Sequence, residues 1–180
     1  MTLHEQTLIN FDDFAKKIGL DYVMMASSLL GIIRDGELLK NDPEIDVSIL
    51  SGELNDELFE DIRGDYHFQM YPCKEKFGEM YLSATKDHDS GPGWIAISPI
   101  WERKDRVFVN MLDSQCLLVP DKTITDKSTW SKVEYLGREF NTPHDPKDYL
   151  SKWYGDDWET PLSCTWHDNK NNILWEALWD

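Results

Sequence analysis

The sequence predicts a mixed α/β domain: an early α-β-α-β run, a strand-rich middle and helices towards the C-terminal end. Two observations carry this. Apolar residues recur at helical spacing in some stretches and as short β-type runs in others. Gly, Pro, Asn and Asp cluster where the pattern changes. No repeat, low-complexity tract or linker interrupts the 180 residues, so one domain over 1–180 is expected.

Leu8, Phe11, Ala15 and Ile18 share one helical face from Leu3 to Ile18, and Gly19 supplies the stop. Asp21 to Ala26 reads as a short buried strand. Ser27-Ser28 are placed to cap a helix from Leu29 to Arg34, which Asp35-Gly36 ends. After the loop Lys40-Asn41-Asp42-Pro43 comes a strand from Ile45 to Leu50, then a helix from Leu54 to Ile62 that stops at Gly64. Strands are expected at Tyr66 to Tyr71, Gly78 to Ala84, Trp94 to Ile100 and Val107 to Leu112, with a turn or loop over Lys86 to Gly93. Lys132 to Phe140 reads as a hairpin around Gly137. Asp145-Pro146 opens a helix through Trp153, with proline where its missing N–H costs little. Asn169 to Leu178 completes the helical end.

Eighteen basic against thirty-four acidic residues give a net charge of −16. No Lys/Arg cluster offsets it, so nucleic acid and anionic membranes are disfavoured as partners. No apolar run is long enough to span a bilayer. The start, Met1-Thr2-Leu3-His4-Glu5-Gln6, has no basic region before an apolar core, so a cytoplasmic protein is expected. Cys73, Cys116 and Cys164 form no CxxC pair and read as reduced thiols.

In a strand from Ile45 to Leu50, Glu44, Asp46 and Ser48 share one face, while Ile45, Val47 and Ile49 face the core. Two carboxylates two residues apart suit a hard divalent cation that keeps positions open for phosphate oxygens. Ser27-Ser28, at the start of a helix, offer backbone N–H groups to a phosphate. Arg34 follows on the same helix, and its alternative use is an ion pair with Asp42 or Glu37.

The stretch from Ala26 to Val47, Ala-Ser-Ser-Leu-Leu-Gly-Ile-Ile-Arg followed by Asn-Asp-Pro-Glu-Ile-Asp-Val, resembles the signature of the LicD / fukutin-related family. A second stretch, Glu139-Phe140-Asn141-Thr142-Pro143 and then Tyr149-Leu150 through Tyr154-Gly155-Asp156 to Pro161, resembles that family's ending. Together they span about residues 20–161. The resemblance implies a nucleotidyltransferase-like mixed central sheet flanked by helices. It also implies transfer of a phospho-alcohol, such as phosphocholine or ribitol phosphate, from a CDP-activated donor to a glycan or another hydroxyl-bearing acceptor. Under it, Glu44 and Asp46 hold Mg²⁺ or Mn²⁺, Ser27 and Ser28 face the donor phosphates, and Arg34 supports their loop.

The chain departs from that pattern in places. Ser27 stands where the family has Gly, Asn41 and Pro43 thin the acidic stretch, and Glu44 replaces Asp. The third acidic position falls on Asn110, whose amide carries neither charge nor base; Asp113 is the substitute acid and metal ligand if the strand bends there. Alternative readings are a nucleotidyltransferase acting on a small molecule or protein, and a degenerate member that only binds. Trp153, Trp158, Trp166, Trp175 and Trp179 read as core aromatics. His4, His67, His88, His144 and His167 lack metal-ligand spacing and are assigned to the surface. Asp156 and Asp157 are lesser candidates for the acidic edge.

Overall fold

The computed structural model describes residues 1–40, 42, 44–53, 55–64, 69–72, 80–84, 94–103, 106–111, 115–119 and 121–161. Helix α1, Leu3–Ile18, has the predicted bounds. Thr2 and Glu5 form a reciprocal capping box at its start, and Gly19, at φ 72°, closes it in the left-handed region. Strand β1 (Val23–Met24) is shorter than predicted. Helix α2 runs over Ala26–Asp35 and ends at Gly36, φ 74°. Its N-cap is Met25, with no side-chain cap, so Ser27 and Ser28 lie inside the first turn instead of capping it. Strand β2 is Glu44–Leu50 and α3 is Asp56–Gly64.

The strands β3 (Gln69–Pro72), β4 (Met80–Ala84), β5 (Trp94–Arg103), β6 (Arg106–Met111) and β7 (Gln115–Leu118) join β1 and β2 in one seven-stranded sheet. Of these, β7 had no counterpart in the sequence reading. β5 is the hub. One of its edges takes β2 in parallel, Glu44 opposite Trp94 through Leu50 opposite Ile100. The other edge takes β4 along Ile95–Ile97 and β6 along Ile100–Arg103, both antiparallel. β1 pairs antiparallel with β2, Met24 opposite Val47.

Helix α1 packs on β2 and β5 through Leu8, Phe11 and Ala15, and α2 packs on β2 and on α4 (Pro146–Tyr154). The predicted hairpin is β8 (Ser131–Tyr135) and β9 (Arg138–Thr142), turning at Leu136-Gly137, both with positive φ. It clamps α1. Arg138 Nη1 donates to Asp12 (2.7 Å) and Asp13 (2.5 Å), and the Tyr22 hydroxyl donates to Asp12 (3.1 Å). The Tyr135 hydroxyl donates to Glu5 (3.2 Å) and accepts from the Leu38 N–H (3.4 Å). Asp145 caps α4 by accepting from the Lys147 and Asp148 N–H groups, with Pro146 at the expected early position.

Trp153 and Trp158 are buried, as core aromatics should be. Trp166, Trp175, Trp179, the helix from Asn169 and the loop Lys86 to Gly93 lie outside the described residues. Among the described residues, no helix is long and apolar enough to cross a membrane.

Gly31 marks the closest approach of backbone to backbone near the site. A Cβ there would stand 2.6 Å from the Glu37 carbonyl oxygen and 2.9 Å from the Leu39 nitrogen. Main-chain atoms cannot swing aside as a flexible side chain can. Gly31→Ala is therefore expected to cost about 1–3 kcal/mol, read as a lower urea midpoint at unchanged slope. A midpoint equal to wild type would show that the segment after α2 is free to move.

Candidate active site at the Asp46 edge

Asp46 is tied at three points to the turn between β1 and α2. Its carbonyl accepts from the Met25 N–H (3.1 Å), and its own N–H donates to Ser28 Oγ (2.8 Å). Its carboxylate Oδ2 accepts from both the N–H (3.2 Å) and the hydroxyl (2.6 Å) of Ser27. The bend that permits this places Ala26 at φ 44°, a left-handed conformation that costs an L-residue about 1–2 kcal/mol. The close-approach position is thus Ala26, and Ser27 uses its side chain to hold the acid.

Glu44 follows the predicted parity, one strand step pair from Asp46. Its N–H donates to Asp42 Oδ1 (3.1 Å). The face they share is not open to solvent along its length, because β2 is covered on both sides: Ser48 is 1% exposed and Asp46 9%. Burial, then the charge of Glu44, pushes Asp46 up to about 7 against the pull of the Ser27 bonds. Burial and Asp42 raise Glu44. Among the described residues no Lys or Arg pairs with Asp42, Glu44 or Asp46. With no counter-cation among the described residues, these three carboxylates form a strongly negative corner.

Arg34 does not enter that corner through an acid of the loop. Its guanidinium makes a two-pronged pair with Asp35 (2.8 and 2.7 Å), while Glu37 pairs with Lys40 (3.0 Å). Neither of the two partners anticipated for Arg34 is used. The backbone of Asn110 lies on β6, one residue past the Ile100–Val109 pair, and Asn110 pairs with Cys116. Ile100 stands beside Leu50, so Asn110 sits towards the far end of β2, about 10 Å along the sheet from the level of Asp46. The residues beside Glu44 and Asp46 on β5 are Trp94 and Ala96, neither of them acidic. Asp113 lies outside the described residues. Asp156 is exposed and accepts from Ser151 Oγ (3.1 Å), and Asp157 is exposed in the following turn.

Three neighbours of the corner were not singled out from sequence as site residues. Tyr149 and Tyr154 of α4 have phenols held well above their usual range by burial, with the charge of Asp46 adding to it in both. Among the described residues the buried Ser48 hydroxyl has no hydrogen-bond partner, while the Ala26 backbone stands by the Tyr149 phenol. His4, assigned to the surface from sequence, is 8% exposed, and its Nε2 lacks a partner among the described residues. The tyrosines stand in the second family-like stretch, which was a usable signal. Nothing in the sequence marked His4.

A carboxyl group raised on folding binds its proton more tightly in the folded state. Its effect on stability is nil below the unfolded value near 4 and grows unfavourable as pH rises to about 7. In chelator-treated protein, Asp46→Asn is expected to raise the melting temperature at pH 8. That gain should shrink as the pH is lowered towards 4. Thermal denaturation at pH 8 showing the variant below wild type would contradict the charge balance described.

No family model and no curated protein matches the sequence. Two solved structures resemble the fold over most of the chain. The lincosamide antibiotic adenylyltransferase LnuA, solved with lincomycin bound, superposes with a TM-score of 0.51 at 13% identity, covering 93% of this chain and 94% of its own. The antibiotic-resistance factor ANT(2'')-Ia, solved in solution, gives a TM-score of 0.51 at 10% identity, covering 89% of this chain and 75% of its own. Identities this low carry the architecture alone. The chain has a mixed α/β fold of the nucleotidyltransferase kind.

Proposed function

We propose that this protein transfers a nucleotidyl group from a nucleoside triphosphate to a hydroxyl of a small molecule, at the edge formed by Glu44 and Asp46. The observation that carries this reading is the Asp46 carboxylate: buried, beside Glu44, without a counter-cation among the described residues, and fixed by Ser27 at the start of α2. It lies in a fold shared along nearly the whole chain with an adenylyltransferase. Two oxygen donors with unneutralised charge suit Mg²⁺ or Mn²⁺. Glu44 and Asp46 would hold the ion, with remaining positions left to donor phosphates and water. Among the described residues no group of three or more His, Cys, Asp or Glu is placed to hold a metal, so the reading rests on these two carboxylates. When bound, the ion neutralises phosphate charge and aligns the in-line displacement. The chain's own part is positioning. Ser27 fixes the Asp46 rotamer and Ser28 fixes its backbone.

A second reading keeps the CDP-alcohol chemistry implied by the LicD-like stretches, with a glycan or similar acceptor. One observation favours it: the two stretches, far apart in sequence, are brought together where α2 meets α4, with Tyr149 and Tyr154 near Asp46.

Melting curves with ATP, CTP and CDP-choline, each with and without Mg²⁺ or Mn²⁺, separate the two. Metal-dependent stabilisation by a triphosphate, with mass-spectrometric detection of a nucleotidylated product from lincomycin or a panel of amino sugars, is the expected outcome. Stabilisation by CDP-choline alone moves the assignment to the second reading. Asp46→Asn should lower transfer on the order of 100-fold or more. A wild-type chain that binds no nucleotide in any metal would leave it as a binding module only.

A further inference from the structure

Arg34 and Asp35 form a pair that helix geometry does not favour. Successive residues of an α-helix point about 100° apart and do not face each other. The Arg34 guanidinium nonetheless turns onto its neighbour, Nε to Oδ1 (2.8 Å) and Nη2 to Oδ2 (2.7 Å). Asp35 is the last residue of α2, where the helix dipole disfavours a carboxylate and favours the arginine. Both side chains meet solvent, Arg34 at 14% exposure and Asp35 at 33%, and a pair so placed adds little to stability. Two parallel N–H bonds to two oxygens of one group are also how a guanidinium takes a phosphate. Asp35 therefore fills the fork in the geometry of a phosphate and holds it weakly.

The surroundings of the fork fit that ligand. Arg34 lies two turns after Ser27 on the same face of α2, and its Cα–Cβ bond leans towards the end of the helix that holds Asp46. α4 packs on α2, and Tyr154, the last residue of α4, is half-buried against the core. Asp46, Asp42 and Arg34 all act on its phenol, and Arg34 is the cation among them. The phenol thus stands near both the acidic corner and the guanidinium. We propose that the Arg34 fork and the Tyr154 hydroxyl form the subsite for the donor's β- and γ-phosphates, and that Asp35 is the placeholder these displace. The proposal rests on the nucleotidyl-transfer reading, in which the α-phosphate lies at Glu44 and Asp46 and pyrophosphate is the leaving group. Pyrophosphate carries more charge than one carboxylate, so it prevails over Asp35 at the guanidinium. Arg34 and Tyr154 are then ligand-contacting residues, and Asp35 sets how readily the fork opens.

The test is calorimetric titration of pyrophosphate, in excess Mg²⁺, into the full chain and its variants. Arg34→Gln is expected to weaken binding about tenfold or more, and Tyr154→Phe about threefold. Asp35→Asn should tighten it about twofold to fivefold, the worth of the exposed pair it removes. Arg34→Lys keeps the charge and loses the fork, so it should fall between wild type and Arg34→Gln, and it replaces that variant should Arg34→Gln fail to fold. A pair that only secures the end of α2 would give the opposite pattern: Arg34→Gln and Asp35→Asn would melt lower alike and bind pyrophosphate as wild type does. Affinity equal to wild type in Arg34→Gln or Tyr154→Phe overturns the proposal. So does weaker binding by Asp35→Asn, or a wild-type chain that takes no pyrophosphate. Response to ATP and CTP is read separately from melting curves. A nucleotide response with pyrophosphate binding indifferent to Arg34 removes the subsite and leaves the transfer reading. Pyrophosphate binding that depends on Arg34, in a chain that yields no nucleotidylated product, keeps the subsite and removes the transfer reading.

Discussion

Everything at the candidate site depends on the ties between Asp46 and residues 25–28. They join the end of β1, the first turn of α2 and the start of β2 into one unit. The Met25 and Ser28 bonds are made to the Asp46 backbone and hold the turn whatever the state of the carboxyl. The Ser27 bonds are made to Oδ2 and orient the acid. The turn and the acid therefore cannot be repositioned independently. Ala26 bears the conformational cost of that arrangement at φ 44°, and strain of this kind persists only where surrounding contacts over-determine the backbone.

The rest of the fold supplies that over-determination. β2 is paired on both edges, by β1 and by β5, and its core-facing residues Ile45, Val47 and Ile49 are at most 1% exposed. Full burial of each such side chain contributes about 1.5–3 kcal/mol. Three of them offset the backbone strain at Ala26 and much of the cost of holding two carboxylates close together. A strand this firmly placed keeps an acidic corner whose members would otherwise separate. The corner is destabilising in itself, because burial and like charge disfavour the ionised forms of Asp46 and Glu44.

Part of this was legible in the sequence, for definable reasons. Strand alternation put Glu44 and Asp46 on one face because period two is a local property of the backbone. Helix α1 was located to the residue because the spacing of Leu8, Phe11, Ala15 and Ile18 and the stop at Gly19 are local signals. What covers a face is not local. Ser48 reads as solvated by pattern and is 1% exposed because β2 is covered on both sides, with α2 and, through it, α4 packed nearby. Asp12 looks like an exposed helix acid. It is 2% exposed because Arg138 and Tyr22 reach it from elsewhere in the chain. Ser27 and Ser28 fit a cap by composition, yet their hydroxyls go to a strand eighteen or nineteen residues later. Cap and cross-link use the same chemistry, and sequence offers no way to choose between them.

The placement of α4 brings a stretch near the end of the chain against the helix that begins beside Asp46. Tyr149 and Trp153 stack at 5.5 Å between ring centres, and this pair fills the space under α2. An aliphatic side chain would fill the same space and leave no hydroxyl behind. The phenol of Tyr149 instead brings a donor into the buried region behind Asp46, close enough that their charges interact. The buried hydroxyl of Ser48, next on the same strand face, has no partner among the described residues and is a cost to the fold. The helix that packs on α2 is thus also the one whose two phenols share the buried surroundings of Asp46.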